Sequence, residues 1–262
     1  MDAERGSAGA RVRHRVSLVL TLIDDFSNKV ILGSGARVWI PGEKPPVRKP
    51  EGYYVFTNLQ GREAQVFIQA GLYEDRTLTA ELGGVPYTSL KVRLTPDRNY
   101  PVPRDTTCVE GRAEPGSLIR ILCPEAGRPL KLIYDYERSG EKGGMQISLY
   151  HPDTVDIEGK ALYITNDKTG AEFFRVLQRM DRNGDYLLER PLCADYRKIG
   201  TTVLPVTAGR ADDKGIFFLP IPNMTGDTNR FLCEAAGKET VRLERRFKTG
   251  AVNHLDFTAG GE

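Results

Sequence analysis

Acid–base chemistry and metal binding in this chain would fall first to three histidines, His14, His151 and His254, none of which stands at metal-ligand spacing from another. His254, between Asn253 and Leu255 in an expected last strand, reads as a surface or satisfied residue rather than a general base. A hydrolase would call on His254 with Asp135, or on the acid pairs Asp24 and Asp25 or Asp153 and Asp156. Aspartates at turns and strand ends are ordinary in a β-rich chain. Asp181-Arg182-Asn183-Gly184-Asp185 spaces its oxygens like the start of a calcium loop, but Tyr186 stands where that loop needs Gly, Leu192 where it needs Glu, and Glu189 is out of register. A hairpin turn centred on Asn183-Gly184 accounts for the same residues. There is no G-x-S-x-G, no phosphate-cradling Gly-Lys loop and no G-x-G-x-x-G opening a helix. The expectation is a non-enzyme with no catalytic residue, metal or cofactor.

Contact chemistry is better represented. Trp39 is the one tryptophan, out of phase with Val38 and Ile40, and Tyr53, Tyr54, Phe56, Phe67 and Tyr73 lie in the same stretch. A face carrying Trp39, Tyr53 and Phe67 would suit sugar stacking or a protein hot spot, the alternative for each being burial in a core or against a neighbouring domain. The proline-stiffened segment 41–50 is cationic at Lys44, Arg48 and Lys49 and reads as a protruding contact arm or a solvated loop. Arg242, Arg245, Arg246 and Lys248 form a second basic cluster, but Glu239 and Glu244 interleave with it, which is weak support for nucleic acid.

These residues need a scaffold, and composition bounds it. A length of 262 residues suggests two domains or three small ones, and 40% hydrophobic residues excludes disorder throughout. With 37 basic and 35 acidic residues the net charge is +2, so no global field draws the chain to nucleic acid or acidic membranes. The apolar run from Val16 to Ile23 is broken by Ser17 and Thr21 and closed by Asp24 and Asp25, too short for a spanning helix and lacking a signal-peptide layout. The expected location is therefore cytoplasmic at synthesis, with release as part of a particle left open. Cys108, Cys123, Cys193 and Cys233 are too widely spaced for a zinc knuckle or redox pair and read as reduced thiols. Residues 1–14, with Arg5, Arg11 and Arg13 among Gly, Ala and Ser, read as a flexible arm.

From Val16 the period is two: Val16, Leu18, Leu20 and Leu22 share one face. Short strands are expected at 36–40, 53–59, 64–70, 77–82, 90–94, 108–111, 118–123, 130–136, 146–150, 161–165, 173–180 and 186–188, with turn signals between them. That is the signature of an all-β sandwich or barrel chain. Residues 171–179 carry two helical turns as an alternative. The prolines Pro96, Pro101 and Pro103 mark a linker at 98–105 after a sandwich at 15–97. A β-rich middle segment at 106–158 and a second sandwich at 159–262 follow.

An internal repeat supports the second sandwich. Gly35–Ile40 precedes Gly52–Phe56 much as Gly200–Pro205 precedes Gly215–Leu219. Ala64–Gly71 then lines up with Arg230–Gly237, and Thr77–Leu82 with Thr240–Phe247. The spacing reads as duplication of a whole domain rather than a solenoid.

The first unit combines a strand ending in Asp24-Asp25, a Ser27-Asn28-Lys29-Val30-Ile31 turn, Gly35-Ala36-Arg37-Val38, Pro50-Glu51-Gly52-Tyr53-Tyr54-Val55-Phe56-Thr57-Asn58-Leu59, and Val66–Tyr73. This pattern resembles the carboxypeptidase regulatory-like, or transthyretin-like (prealbumin-like), seven-stranded Greek-key sandwich, kin of collagen-adhesin B-type repeats. The resemblance implies an accessory, scaffolding or binding module. The chain departs from the isopeptide-forming subset of that family, having no Lys on a first strand paired with a strand-borne Asn and a buried acid, since Lys29 lies in a turn, so no isopeptide cross-link is expected. The expectation is two transthyretin-like sandwiches joined by a β-rich segment, acting as a non-catalytic adaptor or scaffold with protein partners in a larger assembly such as a phage-tail-like or contractile particle. A carbohydrate-binding module using exposed aromatics is the alternative. No specific nucleic acid and no membrane span are expected.

Overall fold

The computed structural model describes residues 15–33, 35–84, 86–126, 128–140, 144–150, 156–180 and 184–258. The expected arm at 1–14, His14, His151, Asp153 and the turn residues 181–183 lie outside the described residues. Among those described there are twenty strands and no helix, and hence no helix long and apolar enough to cross a membrane.

The first seven strands are β1 (Val16–Asp24), β2 (Ala36–Trp39), β3 (Val47–Arg48), β4 (Tyr53–Thr57), β5 (Glu63–Ala70), β6 (Arg76–Glu81) and β7 (Thr88–Leu94). They form two sheets, ordered β3-β4-β1-β7 and β2-β5-β6. Strand alternation decides what lies between them: Leu18, Leu20 and Leu22 of β1, Val38 of β2, Tyr54 and Phe56 of β4, and Val66 and Ile68 of β5 meet in one core. Strand β7 runs parallel to β1 and ends the unit. The linker then packs back, with the Tyr100 hydroxyl donating to Asp24 Oδ2 at 2.6 Å.

The remaining strands are β8 (Thr107–Arg112), β9 (Leu118–Leu122), β10 (Lys131–Leu132), β11 (Gln146–Tyr150), β12 (Ala161–Asn166), β13 (Gly170–Arg179), β14 (Asp185–Leu188), β15 (Thr201–Pro205), β16 (Thr207–Arg210), β17 (Ile216–Ile221), β18 (Thr228–Ala236), β19 (Thr240–Lys248) and β20 (Val252–Asp256). Strands β10 to β15 make one antiparallel sheet in the order β10-β11-β14-β13-β12-β15. Its two edges meet: Leu130 and Val203 exchange backbone hydrogen bonds of 2.8 and 3.3 Å, and Tyr136 and Tyr196 do so at 2.8 and 3.0 Å. The sheet thus closes into a barrel, filled by Leu132, Ile147, Leu162, Ile164, Phe174, Val176, Tyr186, Leu188 and their neighbours.

Strands on either side of the barrel form a second sandwich, with sheets β17-β8-β20 and β16-β9-β18-β19 around Val109, Ile119, Ile121, Phe217, Leu219, Phe231 and Cys233. Its connectivity repeats the first: β8 pairs antiparallel with β17 and parallel with β20, as β1 does with β4 and β7. Gly52 (φ 90°) leads into β4 and Gly215 (φ 78°) into β17, and Val55 and Phe218 both sit half-buried on outward positions of those strands.

Several expectations are corrected by this arrangement. The boundary at 158/159 falls within one sheet, because β11 and β12 belong to the same barrel, and residues 107–122 pair with the C-terminal strands across the inserted barrel. Residues 200–205 enter β15 of the barrel; the strand that corresponds to β2 is β9. Arg230–Gly237 slips by one residue against Ala64–Gly71, since Val66, Ile68 and Ala70 face the first core but Phe231, Cys233 and Ala235 face the second. The run Gly52-Tyr53-Tyr54-Val55-Phe56 implies a strand buried on both sides of its pleat, but β4 is buried on one face only, Tyr53 being exposed and Val55 half-buried.

Candidate functional site

Two features stand out on this frame, a partly exposed aromatic face and a buried clamp between units. On the β2-β5-β6 sheet, Val38 and Ile68 point inward, so Arg37, Trp39, Phe67 and Gln69 point outward. Trp39 and Phe67 are directly opposed across the strands, their rings stacked with centroids 5.5 Å apart and planes 19° apart. The Arg37 guanidinium lies 4.8 Å from the indole centroid. Gln65, Gln69, Thr77 and Thr79 surround the pair and are exposed, and an open groove of about 410 Å³ beside it is lined by Arg37, Gln69, Tyr73, Asp75 and Asp97.

Tyr53 does not join this face. It lies on β4, in the opposite sheet, because the two sheets of a sandwich turn their outer faces in opposite directions. Two cations of the proline-rich segment lie in the same sheet as Tyr53, though not on one side of it. Arg48 is in β3 opposite Tyr54, with its guanidinium 5.6 Å from that ring centroid, and the Lys49 N–H donates to the Tyr53 carbonyl at 2.8 Å. Lys44 is exposed in the turn leading into β3. The six expected contact residues therefore divide: Trp39 and Phe67 share the outer face of one sheet, Tyr53 lies on the outer face of the other with Lys49 hydrogen-bonded beside it, Arg48 lies over the inward-facing Tyr54 at that sheet's edge, and Lys44 is in the loop that connects the two sheets.

The clamp is built on Arg93, whose side chain is 2% exposed. Its Nε donates to the Glu158 carbonyl at 2.6 Å, its Nη2 to the Asp156 carbonyl at 2.5 Å, and its Nη1 to Asn28 Oδ1 at 2.8 Å and Asp25 Oδ1 at 3.3 Å. Arginine suits this position because its rigid fork serves several acceptors at once. Lys91 adds contacts of 2.8 Å to Asp156 and 3.5 Å to Glu158, and Lys160 of the barrel reaches Asp25 at 3.5 Å. The first sandwich also touches the second: Thr95 Oγ1 donates to the Ala208 carbonyl at 3.3 Å, and Glu74 Oε2 accepts from the Arg210 N–H at 3.3 Å. Burial pushes the Glu74 carboxyl up to about 7, against the opposing pull of Arg210.

The barrel is fastened to the second sandwich through an apolar seam of Leu122, Ala161, Phe173, Leu204, Val206 and Ala208, with Tyr163 and Leu232 packed against it. Beside the seam, Glu234, 2% exposed, accepts from Arg120 and from Arg242. The Arg120 guanidinium lies 5.5 Å from the Phe173 ring centroid. Arg37, Arg93 and Glu234 escape a reading of sequence because each is explained by a neighbour on another strand. The one local signal is a lone charge within an apolar alternation, as in Leu90-Lys91-Val92-Arg93-Leu94.

His254 Nδ1 lies 3.2 Å from Glu110 Oε1 and its side chain is 77% exposed. Asp135 accepts from Arg197 and from the Lys198 N–H, beside the Tyr136–Tyr196 pair that helps close the barrel. The two residues considered for hydrolysis thus belong to different folding units. All four cysteines are free thiols, with Cys193 exposed and the others buried; burial raises the Cys233 thiol to about 12. Among the described residues no group of His, Cys, Asp and Glu is placed to hold a metal ion.

No protein-family model matches the chain, and no curated protein matches it. Among solved structures, the Bacillus anthracis TIE protein is similar over 92% of this chain, with 11% identity and a TM-score of 0.26. The chain spans 50% of that protein's length. A variant of BcpA, the major pilin subunit of Bacillus cereus, is similar over 92% of this chain and 98% of its own, with 7% identity and a TM-score of 0.21. The assignment to the all-β sandwich class rests on the sheets described above.

Proposed function

We propose that this chain is a non-catalytic structural and interaction subunit of a larger assembly, of which a phage-tail-like or contractile particle is the type suggested by the sequence. The observation that carries the reading is the Arg93 clamp. A barrel inserted in one sandwich and locked by a buried guanidinium to the other makes a single stiff body, which suits a spacer or adaptor better than a hinged binding protein. On this reading the two sandwiches derive from one duplicated transthyretin-like unit. Binding of sugars at Trp39 ranks second, because Phe67 and Arg37 already engage the indole and a stacking sugar ring needs a free aromatic face. In gently lysed source cells the native protein is expected to migrate far above its 29.2 kDa monomer mass with protein neighbours in fixed ratio. Recovery of the bulk of it as a free monomer would sink the reading.

A further inference from the structure

The corresponding faces of the two sandwiches are used differently. Strands β2 and β9 align through Ala36-Arg37-Val38-Trp39-Ile40-Pro41 and Ile119-Arg120-Ile121-Leu122-Cys123-Pro124. Val38 and Ile40 enter the first core as Ile121 and Cys123 enter the second. Cross-strand register then equates Trp39 opposite Phe67 with Leu122 opposite Leu232, and Arg37 opposite Gln69 with Arg120 opposite Glu234. In the second sandwich this outer face is where the barrel docks: Leu122 is 1% exposed and Arg120 reaches across to the Phe173 ring of the barrel. In the first sandwich no described residue covers the same face in this way, and its two central positions hold a tryptophan and a phenylalanine.

The barrel, in turn, has a free side. Strands β12, β13 and β15 meet the second sandwich, whereas Tyr134, Tyr150 and Ile199, around β10, β11 and the closing edge, are 68%, 65% and 89% exposed. Tyr134 and Ile199 flank the 2.7 Å hydrogen bond from the Lys198 N–H to Asp135, and Tyr150 is paired with Lys131 on the neighbouring strand. Tyr134 and Ile199 are thus neighbours, with Tyr150 on the adjoining β11, and exposed apolar side chains so placed offer a contact surface.

We propose that copies of this chain associate head to tail, with the Tyr134, Tyr150 and Ile199 side of one barrel seated on the Arg37, Trp39 and Phe67 face of the next copy. The contact repeats in trans, with a different side of the barrel, the docking that the second sandwich receives in cis. Because the two surfaces differ, a copy joined through one still presents the other, and growth continues unless the rotation closes a ring. The proposal rests on the assembly reading above but is separable from it, since a subunit of a larger particle need not bind itself.

Sedimentation velocity of the purified full chain tests it. The wild type is expected to shift to larger species with concentration, and Trp39→Glu and Ile199→Glu each to remain monomeric with a thermal midpoint close to wild type. Mixed in equal amounts, these two variants are expected to form a dimer and stop there, because together they hold one intact pair of surfaces. Arg37→Glu, at an exposed position, replaces Trp39→Glu if the latter unfolds. A wild type that stays monomeric into the millimolar range, or variants that do not combine, overturns the proposal. So does a response of Trp39 fluorescence to soluble polysaccharide with unchanged sedimentation, which would make the face a glycan site. Native migration as a large complex alongside a monomeric purified chain would reject self-association and leave the assembly reading standing.

Discussion

Arg93 Nε and the Glu158 carbonyl are joined by a 2.6 Å hydrogen bond that ties the last strand of the first sandwich to a barrel loop. Replacing Arg93 by Ala removes the guanidinium from two backbone carbonyls and from Asn28 and Asp25 in a part-buried site, where Lys160 remains 3.5 Å from Asp25. The expected loss is about 3 kcal/mol or more, in the range for breaking a buried charged network. Arg93→Lys should recover little of it, because an ammonium lacks the planar fork. Calorimetry is the measurement: the wild type should unfold in one cooperative transition and Arg93→Ala in two, and a variant that still melts as one unit would show the clamp to be dispensable.

Stability should fall as pH rises through the window set by Glu74. Its carboxyl is pushed up to about 7 in the folded chain from an ordinary 4.5, with burial as the main cause. Between those values the folded state holds a proton that the unfolded state has released, so the contribution is complete below 4.5 and lost above 7. Glu74→Gln keeps the shape and removes the titration. The difference in urea midpoint between wild type and Glu74→Gln should therefore change steadily across this window, and two parallel pH profiles would refute the assignment.

Gly52 and Gly215 hold equivalent turns at unequal tolerance. Both require positive φ, which alone costs a substituted residue about 1–2 kcal/mol. A Cβ on Gly215 would lie 2.3 Å from the Ala113 carbonyl oxygen, whereas on Gly52 it would meet the Val30 Cγ1 at 2.7 Å, on a side chain that can turn aside. Gly215→Ala should be the more damaging substitution in chemical denaturation. Equal losses would mean that the β17 turn relaxes as freely as the β4 turn.

Alternation in β4 sets a further contrast. Phe56 is 2% exposed in the first core, so Phe56→Ala should cost about 3–5 kcal/mol. Val55 faces outward, half-buried, between Val19 and Val47, and Val55→Asp should cost less than about 2 kcal/mol because water reaches the carboxylate. A sequence reading treats Val55 as doubly covered, since Tyr-Tyr-Val-Phe shows no polar residue to reveal which side is wet. Thermal melts of the two variants decide between these descriptions.

The strands were legible because a period of two and frequent turn residues are local signals, and Leu18, Leu20 and Leu22 all reach the core that their alternation implies. The insertion was not, because β-strands on both sides of it look alike and nothing local in Leu118–Leu122 announces that its partner Leu232 lies beyond a complete barrel. The one-residue slip in the repeat has the same origin. Gln-Ala-Gly and Ala-Ala-Gly align well by letter, yet the inward residues are Ala70 and Ala235, so matching letters inverted the faces. For the contact residues, sequence recognised Trp39 and Phe67 as aromatics of interest, but their pairing depends on register across β2 and β5. Arg37 acquires its meaning only beside that pair.

Insertion of the barrel also has a consequence for synthesis. Strands β8 and β9 leave the ribosome before the barrel, but their partners β16, β17, β18 and β20 follow it. Half a sandwich must therefore wait, with Ile119 and Ile121 uncovered, while an entire domain is made. Once the barrel has closed through Leu130 and Val203, it brings the ends of that long excursion close together, and the entropy of joining β9 to β16 drops to that of a short loop. Barrel closure thus becomes the kinetic gate for the second sandwich, and the interval before it is when this chain is most exposed to aggregation.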